Sequence, residues 1–198
     1  NNIDTNSRLC MSSAVVAYAK MLGEDMVPVS YDDLELMDCL FVAGANPAWC
    51  HPILWRRVEA RKSANPDVKI IVVDPRKTDT CSIADLHLQL IPGTDVLLYH
   101  AIARELWKAG RVDHDFVRDH TEAGENYVRI LKDINPRRAA KACGVPLEQI
   151  KLAAKYIGNA NAFMTMWAMG LNQSKVGVEK NGALINLHLL TGQIGRPG

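Results

Sequence analysis

The strongest constraint on the fold is a set of short, unbroken apolar runs that stop at turn residues and alternate with helical stretches. Cys39–Ala43 (CLFVA) runs into Gly44, and Lys69–Val73 (KIIVV) runs into Asp74-Pro75. Runs this short and this apolar at successive positions suit strands covered on both faces, as in parallel sheets. Leu86–Ile91, stopped by Pro92-Gly93, and Phe163–Trp167, ahead of Met169-Gly170, read as a third and a fourth strand. Elsewhere the apolar spacing is that of helices. Ser12-Ser13 are placed to cap a helix over Ala14–Leu22, ended by Gly23. Others are expected over Pro52–Ser63, Asp95–Ala109, Asp113–Asp119, Glu125–Ile134, Pro136–Ala142, Pro146–Ile157 and Val178–Leu190, the last closed by Gly192. Asn1–Leu9 is polar and is expected to be irregular. Strands alternating with helices predict an α/β fold, a largely parallel sheet with helices on both faces. The 198 residues suffice for one such domain, over 1–198.

Several functional classes are disfavoured. A formal net charge of +1 argues against a nucleic-acid platform, which carries a clustered basic excess. No apolar run approaches the roughly 20 residues that span a bilayer, so no membrane insertion is expected. The polar stretch Asn1 to Arg8 lacks the pattern of a signal peptide. Five cysteines, at 10, 39, 50, 81 and 143, are odd in number and contain no C-x-x-C pair. Neither a structural zinc site nor an iron–sulfur cluster is therefore expected within this chain. A disulfide framework is not expected either, which favours a reducing, cytoplasmic setting. The chain does not start with Met and finishes at Arg196-Pro197-Gly198, which suggests a segment of something larger.

In open α/β sheets, ligands bind where the carboxyl ends of strands meet loops and helix N-termini. Four such ends carry informative residues. At Gly44-Ala45-Asn46-Pro47 the glycine permits close backbone approach and Asn46 offers an amide, while Pro47 and Pro52 hold the chain where the next helix starts. At Asp74-Pro75-Arg76 the acid stands where Rossmann domains keep a carboxylate for ribose hydroxyls, and Arg76 suits a phosphate. Pro92-Gly93-Thr94-Asp95 offers Thr94 or Asp95 as a helix cap, or Asp95 as an acceptor for a purine. Met169-Gly170-Leu171-Asn172-Gln173 follows the fourth strand. Each feature alone also suits a turn, a strand end or a cap. Together, at successive strand ends, they favour a nucleotide-type ligand. The G-x-G-x-x-G fingerprint is absent, which disfavours an ordinary NAD site.

The same residues carry a family resemblance. Asn1-Asn2-Ile3-Asp4-Thr5-Asn6-Ser7-Arg8-Leu9-Cys10-Met11-Ser12-Ser13 resembles the metal-ligand loop of molybdopterin oxidoreductases of the nitrate reductase and formate dehydrogenase type. The likeness continues through Gly44-Ala45-Asn46-Pro47-Ala48, Val73-Asp74-Pro75-Arg76-Lys77-Thr78-Asp79-Thr80, Ala84-Asp85-Leu86-His87-Leu88 and Pro92-Gly93-Thr94-Asp95. It runs on to Gly170-Leu171-Asn172-Gln173-Ser174 and Leu190-Thr191-Gly192-Gln193-Ile194-Gly195-Arg196-Pro197-Gly198, covering essentially the whole chain in order.

The resemblance implies a Rossmann-like domain, excised from a catalytic subunit, that holds one half of a molybdenum bis(molybdopterin guanine dinucleotide). It implies that Gly44 and Asn46 approach phosphates and ribose, that Asp74 and Arg76 bind the guanosine end, and that Asp95, beside Gly93, reads guanine. Met169, with Gly170 next to it, and Gln173 would line the pterin and diphosphate side, and Thr191 and Gly192 would help close loops on the second-strand side. Cys10 would be the protein ligand to molybdenum, with Met11 beside it at the catalytic centre; a soft thiolate suits such a metal. Cys10 ahead of Ser12-Ser13 would also stand near a helix N-terminus and the Arg8 charge, a setting that favours metal-binding cysteines. Taken alone, a single Cys in this position is a small buried hydrophobe, the reading kept for Cys39, Cys50, Cys81 and Cys143.

Met11, where formate dehydrogenases carry His, directs the resemblance toward nitrate reductases of the assimilatory type and reduction of nitrate to nitrite. The further partners implied are the remaining domains of the subunit, an electron-donor protein or subunit, and a 4Fe-4S cluster outside this chain. The alternatives are a cysteine-type formate dehydrogenase or other oxyanion reductase, a guanine-nucleotide-binding module without redox role, and a structural domain in which Cys10 only packs.

Overall fold

A computed structural model describes residues 7–122 and 124–198. Among these residues, four strands form one wholly parallel sheet: β1 (Cys39–Ala43), β2 (Lys69–Val73), β3 (Leu86–Leu88) and β4 (Phe163–Trp167), in the order β3-β2-β1-β4. The chain leaves β1 toward β2 on one side and returns to β1's other side as β4. The carboxyl ends of β1 and β4 therefore flank the crevice at which doubly wound sheets bind ligands.

The helices are α1 (Ser7–Leu22), α2 (Pro47–Cys50), α3 (Pro52–Ala64), α4 (Asp95–Lys108), α5 (His114–His120), α6 (Gly124–Leu131), α7 (Pro136–Cys143), α8 (Leu147–Asn159), α9 (Met169–Asn172) and α10 (Gly177–Leu190). Period-two alternation splits each central strand between two cores. Cys39, Phe41, Ala43, Ile71 and Val73 face the larger core with residues of α4, α7, α8 and α10. Leu40, Val42, Ile70 and Val72 face Trp55 and Val58 of α3. The central strands are buried on both faces because both layers are present, as their apolar runs require. Helix α1 adds a third layer: Ala14, Ala17 and Tyr18 are buried, and Tyr18 packs on Trp167 with ring centroids 5.5 Å apart.

Some boundaries depart from expectation. Helix α1 already includes Ser7 instead of starting after Ser12-Ser13, since nothing from Ser7 to Met11 breaks a helix. Cys10 therefore lies within α1 rather than ahead of it, and Ser7–Leu9 are helical rather than irregular. The expectations for residues 1–6 and for the Arg8 side chain lie outside the described residues. Strand β3 ends at Leu88 instead of Ile91: the Leu90 N–H turns back to the Leu88 carbonyl and the Ile91 N–H is taken by Cys143, so the backbone leaves the ladder. Helix α6 stops at Leu131, and Lys132 to Ile134 continue as tighter i→i+3 turns. Short helical turns at Asp32–Glu35, Pro47–Cys50, Asp79–Ile83 and Met169–Asn172 carry too little periodicity to be read from sequence. Among the described residues no helix is long and apolar enough to cross a membrane.

Candidate functional site

The strand ends open onto one cavity of about 1030 Å³, at the upper end of the range for small-molecule sites. Its wall takes residues from every stretch after β1, β2, β3 and β4, and from Met11, Ala14 and Tyr18 on α1. Gly44, Asn46, Asp74, Arg76, Gly93, Asp95, Met169 and Gly170, all singled out from the sequence, are brought together here.

Two glycines fasten the exits of β1 and β4. The Gly44 N–H donates to Val73 (2.9 Å) and the Gly170 N–H to the Gly44 carbonyl (3.0 Å). A Cβ on Gly170 would lie 2.6 Å from the Gly44 Cα, and one on Gly44 would lie 2.9 Å from the Gly170 Cα. Gly44 also has φ +55°, a left-handed conformation that favours glycine. The wall at the crevice is thus bare backbone.

Polar groups are oriented from behind. The Thr80 hydroxyl, fully buried, donates to Asn46 Oδ1 at 2.7 Å, which leaves the Asn46 amide nitrogen for a ligand. Asp74 is buried and its Oδ1 accepts from the Arg76 N–H at 2.8 Å, closing the turn after β2. The turn is held by His87 on the Asp74 carbonyl (2.9 Å) and Gln89 on the Pro75 carbonyl (2.9 Å). The Arg76 guanidinium extends into solvent, 4.0 Å from Asp74 Oδ1. Gly93 has φ +88° and open space around it, so it serves the turn rather than a close contact.

Asp95 does not behave as a simple cap. Thr94 occupies the cap position, yet its hydroxyl turns back to the Ile91 carbonyl (2.7 Å). Asp95 Oδ2 lies 2.8 Å from Lys180 Nζ in a buried ion pair. Oδ2 is closed off from solvent, with the ammonium against it. Lys180 donates instead to the Gly170 carbonyl at 3.3 Å. Burial, and secondarily the Asp95 charge, push the Tyr99 hydroxyl well above its ordinary value. Sequence reasoning missed Lys180, although a lysine in phase with Ala183, Leu184 and Leu187 on the apolar stripe of α10 was a usable signal.

Cys10, half-buried, meets Gln173 beside the cavity rather than in its wall: Gln173 Nε2 donates to Cys10 Sγ at 3.9 Å. Met11 is exposed on the wall, as is Met169. The turn carrying Gln173 is braced by Asn181, whose Nδ2 donates to Asn172 Oδ1 (3.1 Å) and to the Gly177 carbonyl (2.8 Å). Thr191 and Gly192 depart from expectation: they end α10 away from the cavity, where a Cβ on Gly192 would lie 2.7 Å from Asp113 Oδ2. Asp113 is occupied in capping α5 through the Phe116 N–H (2.9 Å). Among the described residues no group of three or more His, Cys, Asp or Glu is placed to hold a metal ion. A single thiol donor suits a metal whose other ligands arrive with a cofactor. The Asp95 carboxylate in the cavity lining, the bare glycine wall and the cavity volume fit a nucleotide-bearing group.

The family model described as "Molybdopterin oxidoreductase" matches residues 1–198. The chain is 50% identical over 198 residues to a nitrate reductase of Synechocystis sp. (strain ATCC 27184 / PCC 6803 / Kazusa), covering all of this chain and 28% of that protein. It is 38% identical over 198 residues to the F420-dependent formate dehydrogenase subunit alpha of Methanocaldococcus jannaschii, covering all of this chain and 29% of that protein. The chain therefore spans less than a third of the length of these relatives. Among solved structures, acetylene hydratase from Pelobacter acetylenicus superposes with a TM-score of 0.78 at 21% identity, over 93% of this chain and 24% of that one, which establishes the fold.

Proposed function

The chain belongs to the molybdopterin oxidoreductase family, and on that premise we propose that it is the dinucleotide-cradling domain of a nitrate reductase. The carrying observation is the convergence of Asp74, Asp95 and the Gly44–Gly170 backbone on one cavity, with Cys10 held by Gln173 beside it. The cofactor proposed is a molybdenum bis(molybdopterin guanine dinucleotide), one half of which lies in this cavity. Asp74 takes ribose hydroxyls, Asn46 offers its amide nitrogen to phosphate or ribose, and Arg76 reaches the guanosine end. Asp95 accepts from the guanine edge, while Met169, Gly170 and Gln173 border the pterin and diphosphate. Cys10 is the protein ligand to the metal.

When bound, the group supplies two-electron redox chemistry at molybdenum. Reduction of nitrate consumes two electrons and two protons and releases nitrite and water. The remaining domains of the subunit would hold a 4Fe-4S cluster and meet an electron-donor protein or subunit. This chain's own residues bind and orient. The Gln173 amide fixes the direction of the Cys10 sulfur, and the bare wall at Gly44 and Gly170 admits the ligand's backbone closely. Met11 presents an apolar thioether where proton abstraction from formate would need a base, so it suits nitrate rather than formate. The higher identity to the nitrate reductase, 50% against 38%, favours the same choice. The cytoplasm is the proposed compartment, in keeping with five free cysteines.

Assaying the intact subunit with nitrate and with formate tests the assignment. Nitrate reduction is expected, and Cys10→Ala is expected to lower kcat by about 100-fold or more, the upper end of what outer-shell changes cost metal sites. Formate oxidation without nitrate reduction, or unchanged activity in Cys10→Ala, would sink it.

A further inference from the structure

Lys180 stands apart from the other lysines. It lies in the first turn of α10, is 5% exposed, and sits in the cavity wall between the N-terminus of α4 and the turn after β4. A long cation buried so deeply needs compensation, and it has two partners: the Asp95 carboxylate at 2.8 Å and the Gly170 carbonyl at 3.3 Å. The two contacts differ in kind. The carbonyl receives a hydrogen bond, while the ammonium lies against Asp95 Oδ2, an oxygen closed off from solvent, so a ligand meets the carboxylate through Oδ1.

We propose that Lys180 is the positioning residue of the cavity, holding the Asp95 carboxylate in place through Oδ2 so that its other oxygen, Oδ1, accepts from the N–H groups of a nucleobase. A carboxylate oxygen only accepts, so the direction in which the carboxylate is held decides which edge of the base it meets. Through Gly170, Lys180 also ties the base-reading end of the cavity to the glycine wall that admits the dinucleotide backbone. The role is indirect: Lys180 acts through Asp95, and it rests on the cavity being the dinucleotide cradle.

A double-mutant cycle in the intact subunit tests this, with guanine nucleotide released per protein on acid hydrolysis, and molybdenum content, read after extensive dilution and gel filtration. Lys180→Met is expected to reduce retained nucleotide about tenfold or more, the loss expected for a charge-assisted hydrogen bond. Asp95→Asn is expected to lose a similar factor, and Lys180→Met/Asp95→Asn no more than Asp95→Asn alone. Lys180→Arg, which keeps the charge, recovers part of the loss. A lysine that merely packs would give losses that add. Additive losses, or Lys180→Met retaining as much nucleotide as wild type or more, overturn the inference. Should Lys180→Met fail to fold, the double variant leaves no unpaired charge. Equal retention in it and in Asp95→Asn then supports the inference, and a further loss in the double variant overturns it. Wild-type protein free of guanine nucleotide and molybdenum would instead sink the cradle itself.

Discussion

Glycines that resemble one another in sequence perform different tasks at this cavity. Gly170 has no left-handed φ, and its constraint is space: a Cβ would sit 2.6 Å from the Gly44 Cα and 2.7 Å from the Gly44 carbonyl oxygen. Gly93 is the reverse, with φ +88° and nothing within 4 Å of a built Cβ. Gly170→Ala is therefore expected to destabilise by overpacking, about 1–3 kcal/mol, and Gly93→Ala by backbone strain, about 1–2 kcal/mol. Asparagine separates the two causes, because it tolerates left-handed backbone but is larger than alanine. In denaturant titrations, Gly93→Asn should be more stable than Gly93→Ala, and Gly170→Asn less stable than Gly170→Ala. The opposite order at either site would mean that the constraint has been misassigned.

Helix α10 shows how an element acquires a titration it does not advertise. His188, near its C-terminal end, stacks on Phe163 of β4 with ring centroids 4.4 Å apart, and its Nε2 lies 3.1 Å from Thr165 Oγ1. Burial pushes its pKa down to about 4, and a hydrogen bond between the ring and the Gln193 backbone is a smaller, opposing influence. The folded pKa lies below the unfolded value near 6.5, so the unfolded chain binds the proton more readily. Stability from neutral His188 is fully present above about pH 6.5 and is lost as pH falls toward 4. The loss at full protonation is on the order of 3 kcal/mol. Thermal melts should show His188→Gln well below wild type at pH 7.5 and closer to it at pH 5; a gap constant with pH would refute the buried neutral imidazole. His188 also marks a limit of legibility. The strands were readable because CLFVA and KIIVV need two covering layers whatever the partners are. The faces of α10 were not, since His188 and Lys180 look like surface residues until β4 and α4 close over them. Asp95 was legible as a cap or a ligand, but its ion pair joins positions 85 residues apart.

The whole molecule carries an unbalanced surface. Its two main cores are closed, yet Met11, Val27, Val29, Tyr31 and Met169 are exposed apolar side chains gathered along the wall of one cavity. Contiguous apolar patches beyond a few hundred Å² are uncommon on monomers and mark interaction surfaces. The chain is also less than a third of the length of the relatives it matches. Cys10 and Met11 are singled out by the family resemblance alone. The helix that carries them was misplaced, because Ser12-Ser13 look like a cap although nothing from Ser7 to Met11 breaks a helix, and the docking of α1 comes from Trp167 and Ile185, far along the chain. In the proposed subunit, other domains cover this rim and complete the cradle around the second half of the cofactor. Expressed alone, the 198-residue chain should therefore unfold cooperatively, as its cores require. It should nonetheless self-associate at micromolar concentration, bind an apolar dye, and hold no molybdenum or guanine nucleotide after gel filtration. Replacing Val27, Val29 and Tyr31 with serine should weaken association and dye binding while leaving the melting temperature nearly unchanged, because none of the three is buried in a core. Sedimentation velocity across a concentration series measures the association directly. A chain that stays monomeric without dye binding would mean that the rim is an ordinary surface rather than one that other domains cover.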